Sequence, residues 1–241
     1  MTKCKEANGN PADRRELNGA PFDAPDDLSA TTRTIVQAWA EGGRSAFVKR
    51  QCMHCADPAC VSACMIKAFV KGRDGVVTYE PTRCLGDRYC QMACPFNVPK
   101  FEWARAIPVM VKCELCRHRK EGPACAAVCP RAAVITGTVA ELRAEAKRRM
   151  AAAPGRYLPR VYGETEAGGT QCLYLTAADV PFEKLGLPVL DDTPIPELAE
   201  SINNTLYPVQ GLVVPAILYA AIGFTVSRNR KKQEQEKGGD Q

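Results

Sequence analysis

Cysteine dominates the reactive side chains of this sequence: thirteen stand against two histidines, and apart from Cys4 and Cys172 all lie between Cys52 and Cys129. They form three runs. The first is Cys52-x2-Cys55-x4-Cys60-x3-Cys64, the second Cys84-x2-Asp87-x2-Cys90-x3-Cys94-Pro95, and the third Cys113-x2-Cys116-x8-Cys125-x3-Cys129-Pro130. Thiolate is a soft ligand, and runs of this type place three close sulfurs on one iron–sulfur cubane while the more distant fourth reaches the other cluster of a pair. Zinc accounts for paired Cys-x2-Cys elements but leaves the Cys-x3-Cys element of every run unused. A zinc-stabilised membrane adaptor without a redox role is therefore the rival of another class, and it would contain zinc and no acid-labile sulfide. A disulfide framework belongs to shorter secreted chains and does not call for Cys-x2-Cys pairs in register. Covalent haem needs histidine after Cys-x2-Cys, where this sequence has Ala56 and Arg117.

Three residues near the runs need separate readings. Asp87 stands where the second thiolate of its run would be. A carboxylate is a harder and weaker iron ligand, so this site holds either an aspartate-ligated [4Fe-4S] cluster or a [3Fe-4S] cluster beside an unliganded Asp87. His54 is expected to pack within its loop, and Cys172, with no cysteine neighbour, is expected to be buried as a small apolar group. No Ser-His-Asp set, phosphate-cradling glycine loop or dinucleotide fingerprint is visible, which places substrate chemistry elsewhere.

The elements that must carry these runs are short. The 241 residues are 46% hydrophobic and 24% charged, enough for one or two packed units. A cysteine run followed by a short apolar segment recurs, as Ala68-Phe69-Val70 and Ala133-Val134-Ile135, and suggests duplicated ferredoxin halves. Gly72-Arg73-Asp74-Gly75 is a turn leading into a hairpin strand at Val76-Val77-Thr78-Tyr79. The segment 11–29 reads as irregular surface. Arg14-Arg15 is followed by Glu16, Asp23, Asp26 and Asp27 where an export signal would need an apolar run, so it is read as solvated. Residues 138–153 carry a helix with Thr138 and Glu141 at capping-box spacing, and Gln171-Cys172-Leu173-Tyr174-Leu175 is strand-like. The net charge of +5 offsets the negative charge of thiolate-bound clusters, so no nucleic acid is needed to explain it.

Residues 205–226 contain no charged side chain and match the ~20 residues of a membrane-crossing helix. Asp191, Asp192, Glu197 and Glu200 precede this stretch, while Arg228, Arg230, Lys231 and Lys232 follow it. The positive end is expected in the cytoplasm. That reading gives four parts: a cluster domain over 1–137, a helix and irregular extension over 138–204, a transmembrane helix over 205–226 and a basic cytoplasmic tail over 227–241. The fold class is α+β, a double ferredoxin-like domain with one C-terminal membrane helix.

The stretches Gln51-Cys52-Met53-His54-Cys55-Ala56-Asp57-Pro58-Ala59-Cys60 and Met92-Ala93-Cys94-Pro95-Phe96-Asn97-Val98-Pro99 resemble the four-cluster iron–sulfur subunits of molybdopterin oxidoreductases and membrane hydrogenases. Lys112-Cys113-Glu114-Leu115-Cys116, Gly168-Gly169-Thr170-Gln171 and the 187–192 segment, with a C-terminal anchor, bring the resemblance closest to the hydrogenase branch. The resemblance covers nearly the whole chain, and its cluster motifs are shared more widely than the C-terminal half. It implies electron transfer from the small and large subunits of a periplasmic nickel-iron hydrogenase to an integral membrane, quinone-reactive subunit, at the bacterial inner membrane with the cluster domain on the periplasmic side. The alternative partner is a membrane-bound formate dehydrogenase. In the resembled family the runs cooperate in pairs, which implies one [4Fe-4S] cluster on Cys52, Cys55, Cys60 and Cys94. A second centre falls on Cys84, Asp87, Cys90 and Cys64. Met65 departs from the proline usual after that cysteine but touches no ligand.

A larger departure lies at the start, where the family has a further cysteine run. The stretch Met1-Thr2-Lys3-Cys4-Lys5-Glu6-Ala7-Asn8 looks like the tail of such a run, so Cys4 is expected to complete a [4Fe-4S] set with Cys113, Cys116 and Cys125, leaving Cys129 in an incomplete site. Met1 is then expected to be an internal methionine. Upstream DNA should continue in frame into Cys-x2-Cys-x2-Cys, and its absence there would sink this expectation.

Overall fold

The computed structural model describes residues 1–12, 25–195 and 207–238. The Arg14-Arg15 pair and Glu197 and Glu200 lie outside the described residues. Chain contacts divide the protein into two units, residues 1–196 and 197–241.

Among its described residues the first unit has no extended sheet. Its strands form three separate antiparallel hairpins: β1 (Ile35–Glu41) with β2 (Arg44–Arg50), β3 (Phe69–Lys71) with β4 (Val77–Tyr79), and β5 (Lys100–Glu102) with β6 (Val109–Val111). The first is the longest, with Ile35 opposite Arg50 and Glu41 opposite Arg44. Its turn is Gly42-Gly43, both with positive φ, the conformation a two-residue hairpin loop requires. The second hairpin holds the strand read at residues 76–79, and Asp74 Oδ1 accepts the Val76 N–H at 3.1 Å to tie its turn. The first and third hairpins were not anticipated from the sequence. Conversely, Ala133-Val134-Ile135 forms no strand.

Short helices place cysteines between the hairpins: α1 (Thr2–Ala7) carries Cys4, α2 (Ala59–Ser62) Cys60, α3 (Tyr89–Ala93) Cys90 and α4 (Ala124–Ala127) Cys125. Pro58 and Pro123 stand at the N-caps of α2 and α4, where a missing N–H costs nothing. The fourth cysteine of each run opens the same turn. Lys67, Asn97 and Ala132, each three residues on, take a left-handed backbone and return an N–H to the carbonyls of Cys64, Cys94 and Cys129 at 3.0, 3.1 and 3.2 Å. The duplicated halves are visible in this repeated turn more than in strands.

The longer α5 (Val139–Ala152) follows, with a complete capping box between Thr138 and Glu141. Beyond it the described residues form an extension without strands. Within Gln171 to Leu175 only an isolated bridge of Tyr174 with Tyr162 forms, and Thr170 just before it bridges Cys55. Gly168 and Gly169, both at positive φ, bend the backbone so that the Ala56 N–H reaches the Gly169 carbonyl at 2.8 Å and the Gln171 N–H the Met53 carbonyl at 3.1 Å. The extension thus clasps the first cysteine run. Tyr162, Val180, Phe182, Leu185 and Leu187 of the extension pack with Ile35, Val48, Met53, Phe96 and Val98 in the main core, while Phe69, Val77, Phe101 and Met110 form a smaller one.

In the second unit, α6 (Tyr207–Gly238) is a single helix containing Pro215. Its apolar part, residues 209–231, has a mean hydropathy of 1.9 over its most apolar window; 23 residues at about 1.5 Å each exceed the ~30 Å hydrocarbon thickness. The helix runs past residue 226 into the basic segment, because Arg and Lys are good helix formers and nothing there breaks it.

Gly163 is the tightest point of the clasp. Its φ is +93°, and a Cβ there would stand 2.3 Å from the Cys172 carbonyl oxygen and 2.6 Å from Thr170 Oγ1. Gly155 also has positive φ, but open space surrounds it. Gly163→Ala should destabilise the fold by more than about 3 kcal/mol and Gly155→Ala by about 1 kcal/mol, as read from chemical denaturation of the two variants.

Candidate metal centre

The three hairpins and four short helices bring the thiols of different runs together. Cys52, Cys55, Cys60 and Cys94 lie close enough for their charges to perturb one another. Burial, reinforced by Cys52 and Cys94, pushes the Cys55 thiol up to about 12 and the Cys60 thiol well above its ordinary value. Such thiols give up their protons only to a cation that compensates the negative charge. Around this set the backbone is tied by lysine. Lys71 Nζ donates to the carbonyls of His54 at 3.1 Å, Cys55 and Gly75 at 2.8 Å, while Lys112 Nζ donates to the carbonyls of Val77 and Cys113. His54 is fully buried and its Nδ1 accepts the Val77 N–H at 3.0 Å. Burial, with Lys112, Lys71 and Lys49 nearby, pulls its basicity down to about 2, so the ring is neutral.

Cys64, Cys84 and Cys90 form a second set against Phe69, Val77, Phe101 and Met110. Burial, with Cys64 and Cys84 beside it, pushes Cys90 up to about 12. The Tyr79 hydroxyl bridges this set to β6: it accepts the Met110 N–H at 3.1 Å and meets the Cys84 sulfur. Asp87 is exposed in the loop joining Cys84 to Cys90, between the left-handed residues Gly86 and Arg88.

Cys4, Cys113, Cys116 and Cys125 line one cavity with Asn8, Arg33 and Leu115. Asn8 Nδ2 donates to the Cys4 carbonyl at 2.7 Å, holding the end of α1, which packs against α4. Burial pushes the Cys113 thiol up to about 12. Cys129 stands apart from these sets. The backbone N–H groups of Val134, Ala133, Arg131 and Ala132 turn toward its sulfur and hold its thiol below the usual range. The same nest surrounds the other fourth cysteines: the N–H of Ala68 meets Cys64 Sγ at 3.3 Å, and those of Val98, Phe96 and Asn97 meet Cys94. Such oriented N–H groups stabilise a thiolate.

Cys172 belongs to none of the sets. Its Sγ donates to the Cys52 carbonyl at 3.3 Å and receives Gln51 Nε2 at 3.1 Å, so it packs behind the first run. The sequence reading overlooked the lysines with inward-facing heads and Tyr79; only the position of Lys112, directly before Cys113, offered a signal.

Among the described residues no three His, Cys, Asp or Glu side chains converge closely enough for one ion. Thiols grouped around a wider centre suit a cubane, in which each iron takes its own thiolate. The donor set is soft, mostly buried and lined with N–H groups, and it fits iron–sulfur clusters.

Comparison with known proteins agrees. Residues 44–139 match the family described as a 4Fe-4S dicluster domain. The chain is 38% identical over 278 aligned residues to the hydrogenase-2 operon protein HybA of Escherichia coli O157:H7, with 100% of this chain and 83% of that protein covered. It is 32% identical over 219 residues to the formate dehydrogenase-O iron-sulfur subunit of Escherichia coli K12, covering 86% of this chain and 68% of that subunit. It is also 34% identical over 178 residues to the nitrate-inducible formate dehydrogenase iron-sulfur subunit of the same strain, covering 69% of this chain and 60% of that subunit.

The placement of Cys172 and Cys113, both fully enclosed, separates packing from ligation. Cys172→Ala should keep the iron and sulfide content of the anaerobically purified protein, whereas Cys113→Ala should lose one cluster's share of both.

Proposed function

We propose, on the premise that this chain belongs to the HybA-type family of ferredoxin-like iron–sulfur electron-transfer proteins, that it relays electrons between a periplasmic nickel-iron hydrogenase and an integral membrane, quinone-reactive subunit. The single observation that supports the relay best is the convergence of thiols from separate runs into sets. Cys94 joins the first run, Cys64 joins the second, and Cys4 joins the third. On this reading Cys52, Cys55, Cys60 and Cys94 hold one [4Fe-4S] cluster, and Cys4, Cys113, Cys116 and Cys125 hold another. Cys64, Cys84 and Cys90 hold a third centre, with Asp87 as its weak fourth ligand or a [3Fe-4S] cluster in its place. Cys129, with its nest already formed, supplies one ligand of a further site.

When bound, the clusters supply reversible one-electron chemistry. The protein's own contribution is to fix, shield and tune them. The nest at Cys129 holds its thiol below the usual range, and backbone N–H groups are likewise aimed at the sulfurs of Cys64 and Cys94. The Tyr79 hydroxyl lowers the electron density on the Cys84 sulfur. Lys71 and Lys112 lock the loop carbonyls beside the first set, so little reorganisation accompanies electron transfer.

Identity to HybA over the whole chain favours the hydrogenase partner, and identity to the formate dehydrogenase subunits makes a molybdenum enzyme the second reading. For location, the apolar helix at 209–231 supports anchoring in the inner membrane. The acidic residues before it and Arg228, Arg230 and Lys231 at its end favour a cytoplasmic C-terminus and a periplasmic cluster domain.

Two measurements test the proposal. Co-purification from detergent-solubilised membranes should bring down nickel, and recovery of molybdenum instead would transfer the chain to the second reading. EPR of oxidised protein should show a three-iron signal that Asp87→Cys removes. Zinc without sulfide would overturn the relay altogether.

A further inference from the structure

Lysine at the surface ordinarily lays its stem along the protein and sends its ammonium to water. Lys49, on β2 opposite Val36, does the reverse. The residue as a whole is only partly buried, yet its Nζ is sealed from solvent and has no hydrogen-bond partner among the described residues. Its backbone is held: the Lys49 carbonyl accepts the Tyr174 hydroxyl at 2.7 Å. Lys71 and Lys112 also point inward, but their ammonium groups are satisfied by backbone carbonyls. Among the described residues, Lys49 is the lysine with a buried Nζ whose donors are left over.

The groups near this ammonium identify what it lacks. Its charge acts on the thiols of Cys113 and Cys172 and on the ring of His54. Cys52, Cys113 and Cys172 pack in one buried core with Val48, the residue before Lys49. The ammonium therefore lies within electrostatic reach of that core. Among the described residues Lys49 has no carboxylate in an ion pair and no hydrogen-bond acceptor. A buried ammonium with neither counter-ion nor acceptor is strongly unfavourable, so the site calls for negative charge and acceptor atoms. A thiolate-bound iron–sulfur cluster carries both.

We propose that Lys49 is a positioning residue for electron transfer, whose ammonium compensates the charge of the clusters held by the Cys52 and Cys113 sets and raises the reduction potential of both. This rests on the reading that the two sets hold clusters. Each reduction adds one electron and one negative charge to a cluster, and no proton is exchanged. A fixed positive charge within reach of the core that holds Cys52 and Cys113 favours the reduced form at either set, whereas Cys64, Cys84 and Cys90 pack with a different core.

The test is an EPR-monitored redox titration of the anaerobically purified full chain, its signals assigned with single-cysteine variants, comparing wild type, Lys49→Met and Lys49→Arg. Iron and sulfide are measured on every sample. At a fixed potential, Lys49→Met should lower the reduced-to-oxidised ratio of the two clusters at least tenfold, about 59 mV for a one-electron couple. The cluster at Cys64, Cys84 and Cys90 should stay in place, and Lys49→Arg should stay near wild type. Unchanged potentials in a fully loaded Lys49→Met protein overturn the inference, as does an equal shift at all three clusters. If Lys49→Met loses iron while Lys49→Arg keeps it, the requirement for charge is shown at assembly; loss from both variants marks a packing role and overturns it. Wild-type protein without iron or sulfide would instead defeat the underlying cluster reading.

Discussion

The meeting of sulfurs from distant parts of the chain is the constraint on which the cluster domain depends. Buried thiols repel one another once ionised, and their neutral forms gain little from being gathered. Burial and mutual repulsion push Cys55 and Cys90 up to about 12, so the arrangement is favourable only when cations compensate the charge. Three hairpins of three to seven residues per strand and helices of one or two turns bury too little apolar surface to hold such loops alone. In this family, cluster binding and folding are therefore coupled.

Around that constraint the protein does three kinds of work. The repeated turn after Cys64, Cys94 and Cys129 aims backbone N–H groups at sulfur. It uses left-handed residues at Lys67, Asn97 and Ala132, an energetic cost in non-glycine positions that the returned hydrogen bonds offset. Lysines at 71 and 112 saturate carbonyls that face inward. The extension closes over the first run, and the absence of a Cβ at Gly163 lets its backbone approach the Cys172 carbonyl.

The apolar helix is a separate matter. Its length and composition are those of a helix able to cross a membrane. No cysteine lies beyond Cys172, so the helix contributes no thiolate to cluster binding.

The sequence by itself determined the cofactor class, because the soft-ligand chemistry of thiolate and the close spacing within each run are local properties. The apolar C-terminal helix and α5 were legible for the same reason: a long uncharged stretch and a Thr138–Glu141 capping box act through near neighbours. Only the tertiary structure decided what depends on distant segments meeting. The hairpin at 35–50 shows no cysteine and carries a modest glycine signal, yet it supplies Lys49. The strand-like 171–175 segment became a clasp because pairing with the first run competes with sheet formation and wins. The interior-facing lysines look like solvated charge in the sequence, and nothing in their immediate neighbours shows that a nitrogen at the end of a four-carbon stem is turned inward. That direction is set by packing across the fold, where buried charge must find a partner.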